Sequence, residues 1–537
     1  MFAADVSTPM LDDGAHGDGA AGDGVYGATI PAQTASTLVR FKVEATNTDG
    51  VFSSPSVDNS MNYHGYMVQD PSVTSNAPII NWFMDDADYN DMLANHVQDD
   101  AKIPTVIVYG NDVYDNSEIG IRGEISRTYS KKGYKVWLPS GYMIQPNGAE
   151  LAINEFRLSA DFKSETLAAV PTGWWALKQA GLPTPDIVPT RIQRNGQFEG
   201  TYIYMDKYET EWKDANGYDD GQLYEDWVEK VQGDPSRADI EQWRTELLLD
   251  RADPAKRDNA LDMNNVPNIT THMAMRGLLA TWDHYSNNNT FQYRDSEDTD
   301  RWSLMYWDID SMFTTGRVAT DLSPYDRAWD IENGTRFAQQ SIYDQPDLRE
   351  AYFRRVRTLA DKFYTDGELK AKYNEFADRY ASEVAMDVAK WTADPYFRMS
   401  REREERAIDT IQETTLAYLR QPWAVPPAQT QQERQQVTLN EVNYDGDPAN
   451  EYVKLSNGAS TAVDISDWYI EGIDYTIPAG AVIPKGGSIY ILKSDKAYRA
   501  THPSVLVAGQ YQNSLGSSGG QLKLKTDTDF EIDTYNY

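Results

Sequence analysis

The chain has 537 residues, long enough for two or three domains, and no cysteine, which excludes disulfides, thiolate metal sites and a cysteine nucleophile. Its 83 acidic against 49 basic residues give a net charge of −34, which repels nucleic acid and anionic membranes; it reads as a solvated acidic surface suited to secretion or to salty surroundings, with a basic protein substrate as the sharper alternative. No apolar run approaches the ~18 residues of a membrane span, and the opening MFAADVSTPM lacks the charged and then apolar pattern of a signal peptide.

Residues 1–78 are rich in Gly, Asp and Thr, with an alternating stretch at 37–44 (TLVRFKVE), and are expected to form part of a β-sandwich whose beginning lies upstream. Within them LDDGAHGDGAAGDGVY, at 11–26, reads as a series of Asp-Gly turns. A structural Ca2+ loop is the alternative, although the spacing does not match an EF-hand. From 79 to 420 the pattern is mixed. A helix is expected at 85–96, a strand at 105–109, and two strands with a polar, basic connection across 119–138 (IGIRGEISRTYSKKGYKVWL). A helix at 164–180 contains Pro171, which is expected to interrupt it. Asn195-Gly196 between apolar stretches signals a hairpin. Helical spacing then dominates 347–391 and 402–419, packing a core without evident chemistry. Residues 421–436 (QPWAVPPAQTQQERQQ) read as a linker, and 437–537 as a separate all-β sandwich.

The stretch TWDHYSNNNTFQYRDSEDTDRWSLMYWDID, at 281–310, carries most of the chemistry. A helix from about 268 to 282 is expected to end near Asp283, and strands at 290–294 and 301–306 to form a hairpin around DSEDTD. A hairpin brings its open ends together, so Asn288 and Asp308 meet although far apart in the chain. Asp283, Asn288, Asp308 and Asp310 then offer hard oxygen ligands for a divalent cation; helix capping and turns are the ordinary alternative. Asp283 and Asn288 also have the D-x-x-x-x-N spacing of a kinase catalytic loop, and a carboxylate after a later strand is what phosphoryl transfer needs to hold its metal. Arg122-Gly123, Lys131, Lys132 and Lys135 supply cations for a phosphate, with Lys132 expected on the strand face opposite Lys131 and Lys135. His284 offers a metal ligand or general base. There is no P-loop, H-E-x-x-H or G-x-S-x-G motif.

RGEISRTYSKKGYKVWL, NEFRLSADF, IQRNGQFEGTYIYMDKYE, WDHYSNNNTFQYRD and RWSLMYWDIDSMF, in that order, resemble the spore-coat CotH protein kinases. The resemblance implies an atypical kinase fold over 79–420 within an α+β chain. It also implies transfer of the ATP γ-phosphate to Ser or Thr of a protein with Mg2+ or Mn2+. Carried over, it makes Asp283 catalytic, puts Asn288, Asp308 and Asp310 on the metal, and puts Arg122, Lys132 and Lys135 on the nucleotide. Residues 437–537 (VTLNEVNYDGDPANEYVKLSNGASTAVDISDWYI and beyond) resemble the lamin-tail domain, an immunoglobulin-like sandwich found on secreted bacterial proteins, which implies binding or scaffolding. The N-terminal sandwich resembles those ahead of bacterial CotH-like domains. A secreted or cell-surface location follows from these likenesses. The chain departs from the family pattern at Asp206, where a Glu is usual, at Glu225, where Lys ends a GxLYK-like motif, and in SETLAAVPTGWW, which lacks an Arg-Asn pair. A catalytically silent scaffold or adhesion protein is therefore the alternative to an active kinase.

Overall fold

The computed structural model describes residues 5–218, 221–226, 229–281, 283–284, 289–313, 337–391, 398–421, 426–444 and 446–537. The chain forms two compact units. One comprises Met1–Phe162, Asp186–Lys207 and Arg379–Arg398; the other comprises Lys163–Pro185, Tyr208–Asp378 and Met399–Tyr537.

The first unit is built on a closed seven-stranded barrel. Its strands, in spatial order, are Ile187–Arg194, Gln197–Met205, Glu155–Ser159, Gly133–Trp137, Asp112–Arg122, Ile103–Tyr109 and Ile79–Phe83. All neighbours are antiparallel except the closing pair, where Arg191 lies beside Ile79 in parallel. The Asn195-Gly196 hairpin forms as its sequence predicts. Both residues take positive φ, 51° and 77°, the backbone that joins twisted strands in two residues. Closure removes free sheet edges, and the interior fills with Trp82, Tyr134, Phe156, Tyr202 and Tyr204, all nearly inaccessible. Each such ring contributes roughly 2–3 kcal/mol through burial. The Asp86–Asn95 helix is capped by the Asp85 carboxylate, which accepts the Ala87 N–H. The expected strand at 37–44 divides in two. Leu38–Phe41 pairs with His64–Met67, whereas Val43–Asn47 turns back on Gly50–Ser54. Alternation marks both halves as extended and carries no signal of a change of partner.

The second unit opens with the Ala169–Gln179 helix, and here the interruption expected at Pro171 does not occur. Pro171 is the third helical residue, where the missing N–H would have had no intrahelical acceptor. A four-stranded antiparallel sheet follows in the order Glu229–Gln232, Gln222–Glu225, Thr290–Arg294, Trp302–Tyr306. The Val266–Leu279 helix is buried almost from end to end and is the unit's central element. Against it pack Phe337–Tyr343, Pro346–Ala360 and Arg401–Leu419, and Glu368–Arg379 is a further helix of the unit. In the segment expected to link the domains, Gln431–Arg434 is a short helix held by a reciprocal capping box between Thr430 and Glu433. The C-terminal sandwich has two four-stranded sheets, one ordered Val437–Asn443, Tyr452–Asn457, Ser488–Leu492, Val507–Gln510 and the other Tyr475–Thr476, Tyr469–Glu471, Gln521–Lys525, Glu531–Asn536. The architecture is thus a mixed α and β domain flanked by all-β segments.

Candidate functional site

In the second unit Asp283, Asp308 and Asp310 lie on the chain segments that flank one hairpin. Thr290 pairs with Tyr306 and Arg294 with Trp302, so the open end lies beside Asn289 and Trp307. Asp295 closes the far end by accepting the N–H groups of Asp298 and Thr299. The Val266–Leu279 helix begins at Asn265, whose side chain accepts the Asn268 N–H, and ends at Ala280 in the left-handed region with φ 48°. The helix therefore lies earlier than the expected 268–282, both starting and ending before it. Its turn-out releases the chain three residues before Asp283.

Two hydrogen bonds then join Asp283 to Asp308 through their neighbours. The His284 Nε2 lies 2.9 Å from the Trp307 carbonyl oxygen, and the Trp307 N–H donates to the Asn289 carbonyl at 2.9 Å. Burial, with Arg276 nearby, pushes the His284 imidazole down to about 3, so the ring is neutral and its Nε2 carries the proton donated to Trp307. This role fits neither metal ligation through Nε2 nor general base catalysis. Tyr306 is fixed from three sides. Its ring stacks on His272 with centroids 4.0 Å apart, meets the His284 ring edge-on, and its hydroxyl donates to the His272 carbonyl.

Beyond Trp307 the side chains alternate. Asp308 is exposed, Ile309 is buried and Asp310 is half-buried. Asp308 has φ 43°, a left-handed backbone that costs a non-glycine residue about 1–2 kcal/mol. Asp310 accepts from Lys163 Nζ at 2.8 Å, a cation that sequence reasoning missed because it lies 147 residues away. Asn288 lies outside the described residues. Among the described residues no three acidic or histidine side chains converge closely enough to hold an ion by themselves. Glu225 ends the strand beside Thr290–Arg294, opposite Phe291, so the reversed charge stands near the same end of the sheet.

The basic candidates belong to the barrel unit. Arg122 ends its strand opposite Gly133 and is half-buried. Lys131, one of the cations offered for a phosphate, is buried. Its Nζ donates to Asp387 at 2.9 Å and to the carbonyls of Ala160 and Thr201, and lies over the Tyr202 ring. Burial opposes charge on both partners, but Lys131, helped by the Thr201 N–H and Arg398, holds the Asp387 carboxyl below the usual carboxylate range. Glu383 and Asp387, four apart on the Ala381–Lys390 helix and both buried, were the available signal that this helix turns an acidic face inward. Lys132 Nζ donates to the carbonyls of Arg127 and Tyr129, and partial burial lowers its ammonium. Lys135 pairs with Glu155 at 2.5 Å. Asp206, one of the departures noted above, is buried. Burial, with Asp186 adding to it, pushes its carboxyl well up; one oxygen accepts the Asp186 N–H at 2.8 Å and the other has no partner among the described residues.

In the N-terminal Asp-Gly stretch the carboxylates are engaged by the loop's own backbone. Asp18 accepts N–H groups from Asp13, Gly14 and His16, and Asp12 accepts from Gly22, Asp23 and Gly24. Asp23 accepts from Ala20 and Val25. These bonds account for the loop's shape through the turn chemistry of Asp and Gly.

The family model described as CotH kinase protein matches residues 119–415, more than half of the chain. The Lamin Tail Domain model matches 430–537, and the model for the second Ig-like domain of conditioned medium factor matches 4–52. No curated protein matches the chain.

Proposed function

The chain belongs to the CotH kinase protein family, and on that premise we propose that it transfers the γ-phosphoryl group of ATP to a serine or threonine hydroxyl of a protein. In this reading Asp283 accepts the hydroxyl proton as the Oγ–P bond forms and the bond to the β,γ-bridging oxygen breaks, releasing ADP. Asp308, Asp310 and Asn288 would hold the metal. Arg122, Lys132 and Lys135 of the barrel unit take phosphate charge. Carboxylate and amide oxygens are the donors that Mg2+ or Mn2+ prefers, and Asp308 is exposed to offer them. A metal held there would supply charge neutralisation to the transferred phosphoryl group.

The observation that carries this reading is the bond from His284 to Trp307. It ties the residue after Asp283 to the residue before Asp308, so the proton acceptor and the metal carboxylate share one rigid support. Preorganisation of that kind is what positional and electrostatic catalysis requires. The surplus of acid on the chain favours a basic protein as substrate. No described helix is long and apolar enough to cross a membrane, and we infer action in the secreted state or at the cell surface from the flanking domains.

A second reading, a catalytically silent scaffold, draws on the cations. Lys132 is committed to backbone carbonyls and Lys135 to Glu155. Incubation with γ-labelled ATP, Mg2+ or Mn2+ and a basic protein separates the two. The kinase reading expects metal-dependent labelling that Asp283→Ala abolishes. Nucleotide binding without labelling would leave a pseudokinase, and no binding would leave a scaffold.

A further inference from the structure

Two buried arginines sit beneath the elements that lead to Asp283 and Asp308, and both find their carboxylate in the C-terminal sandwich. Arg355, on the Pro346–Ala360 helix, donates from Nε to Thr271 Oγ1 at 3.1 Å, within the helix that precedes Asp283. Its other nitrogens reach Asp464 Oδ2 at 3.1 Å, Ser466 Oγ at 2.9 Å and the Ala180 carbonyl at 2.8 Å. Arg301 immediately precedes the Trp302–Tyr306 strand, which runs to Asp308. It makes a two-pronged pair with Asp495, one contact at 3.0 Å, and donates to the carbonyls of Leu261 and Asn264, where the central helix begins. Both pairs are almost entirely shielded from water, at 3% and 1% exposure for Arg355 and Asp464 and 7% and 2% for Arg301 and Asp495.

The backbone packs as closely as the charges. At Gly480 of the sandwich, a Cβ would stand 2.2 Å from the Pro267 carbonyl oxygen and 2.4 Å from Thr271 Oγ1. Only a glycine lets the sandwich reach the central helix at that point. A buried guanidinium that loses its carboxylate is left as an uncompensated charge, which a folded interior tolerates poorly. The sandwich thus supplies the counter-charges on which the two acid-bearing elements depend.

We propose that the C-terminal sandwich is part of the frame of the phosphotransfer site, with Asp464 and Asp495 as positioning residues for Asp283 and Asp308 through Arg355 and Arg301. This inference rests on the kinase reading for the identity of the site, while the bracing itself is independent of it.

The test uses the full chain carrying Asp464→Asn, Asp495→Asn or the corresponding Glu substitutions, followed by amide hydrogen exchange and phosphoryl transfer. Asp464→Asn is expected to speed exchange in Val266–Leu279 about tenfold, and Asp495→Asn to do so in Trp302–Tyr306. The Glu368–Arg379 helix should keep its wild-type exchange in both, and the Glu variants should restore protection. In transfer assays kcat should fall about tenfold in the Asn variants with KM for the protein substrate little changed. Ser466→Ala, which removes its bonds to Arg355, Asp464 and the Gly480 N–H but leaves no bare charge, gives the same regional pattern at smaller size if Asp464→Asn does not yield folded protein. Unchanged exchange, a uniform rise across the whole unit, or Glu variants no better than Asn would overturn the bracing. Full kcat in the Asn variants would overturn the positioning role and leave the kinase reading intact. A wild-type chain that transfers no phosphate would end the kinase reading, while the exchange pattern would still decide whether the sandwich braces these elements.

Discussion

His284 donates its Nε2 proton to the Trp307 carbonyl across 2.9 Å inside a fully buried pocket, and so fastens the Asp283 segment to the strand end that carries Asp308. Substitution by Phe would keep ring volume against Tyr306 and leave the Trp307 carbonyl without its donor. An unsatisfied buried acceptor costs about 1–3 kcal/mol. We expect His284→Phe to lower the unfolding free energy by that amount, read as a lower urea midpoint, and to reduce phosphoryl transfer more than nucleotide binding. Transfer at wild-type rate would show that the clamp does not hold the acids in register.

The same burial predicts an acid limb in stability. His284 is pushed from an ordinary 6.5 to about 3, and burial drives His272 well below its ordinary value. In the unfolded chain both rings take up a proton as pH falls below about 6.5, whereas the folded chain keeps them neutral. Their contribution is therefore complete above 6.5 and is lost as pH drops toward about 3, at about 1.4 kcal/mol per pH unit for each histidine. Asp206 and Glu404, whose buried carboxyls are pushed up, act in the opposite sense, so the wild type alone does not isolate the effect. Denaturation of wild type and His284→Gln between pH 7.5 and 5 does. The difference between them should shrink as pH falls, by about 2 kcal/mol at pH 5; a constant difference would rule out a buried neutral ring.

Local chemistry made the hairpins legible. Asn195-Gly196 requires two positive φ values that few residue pairs accept, and the strands on either side of DSEDTD alternate cleanly. Partners distant in the chain were not legible. Lys131 reads as one of a cluster of cations for a phosphate until Asp387 arrives from a helix more than 250 residues later. Arg355 sits in a helix that seemed only to pack a core, yet its carboxylate comes from a sandwich strand 109 residues on. Periodicity reports which face of an element is buried and is silent about which charge will meet it there. Pro171 was misjudged for a different reason, since its effect depends on where the helix begins.

The lysines separate by function. Lys131→Met would leave Asp387 with Arg398 as its remaining cation and remove three donated bonds from the barrel interior. Breaking a buried pair in this way costs about 3–5 kcal/mol, so the melting temperature should fall sharply. Lys135 pairs with Glu155 in a partly exposed setting, and Lys135→Ala should cost less than about 1 kcal/mol. If Lys132 and Lys135 take phosphate charge, their alanine variants weaken ADP binding at nearly unchanged stability. Titration calorimetry beside thermal melts reads both axes, and equal ADP affinity in wild type, Lys132→Ala and Lys135→Ala would remove these residues from the nucleotide.

Gly173 offers a test of the acidic segment from behind. It lies in the Ala169–Gln179 helix, where a Cβ would stand 2.2 Å from Met312 Sδ, 2.6 Å from Met312 Cε and 2.8 Å from Ile309 Cδ1. Alanine is favoured over glycine inside a helix by about 1 kcal/mol. Overpacking typically costs about 1–3 kcal/mol, and three contacts this short put Gly173→Ala toward the upper end, so a net loss is expected. Met312 can swing aside, but Ile309 is buried between Asp308 and Asp310 with little room to turn its Cδ1 away, so part of the strain falls on the backbone that presents both carboxylates. Gly173→Ala should therefore weaken Mn2+ binding, read by electron paramagnetic resonance, as well as lower the melting temperature. Adding Met312→Ala opens room on one side and should recover part of both losses, with a coupling of about 1 kcal/mol or more between the two positions. Additive effects, or Mn2+ affinity untouched by a destabilising Gly173→Ala, would separate the packing behind Ile309 from the metal site in front of it.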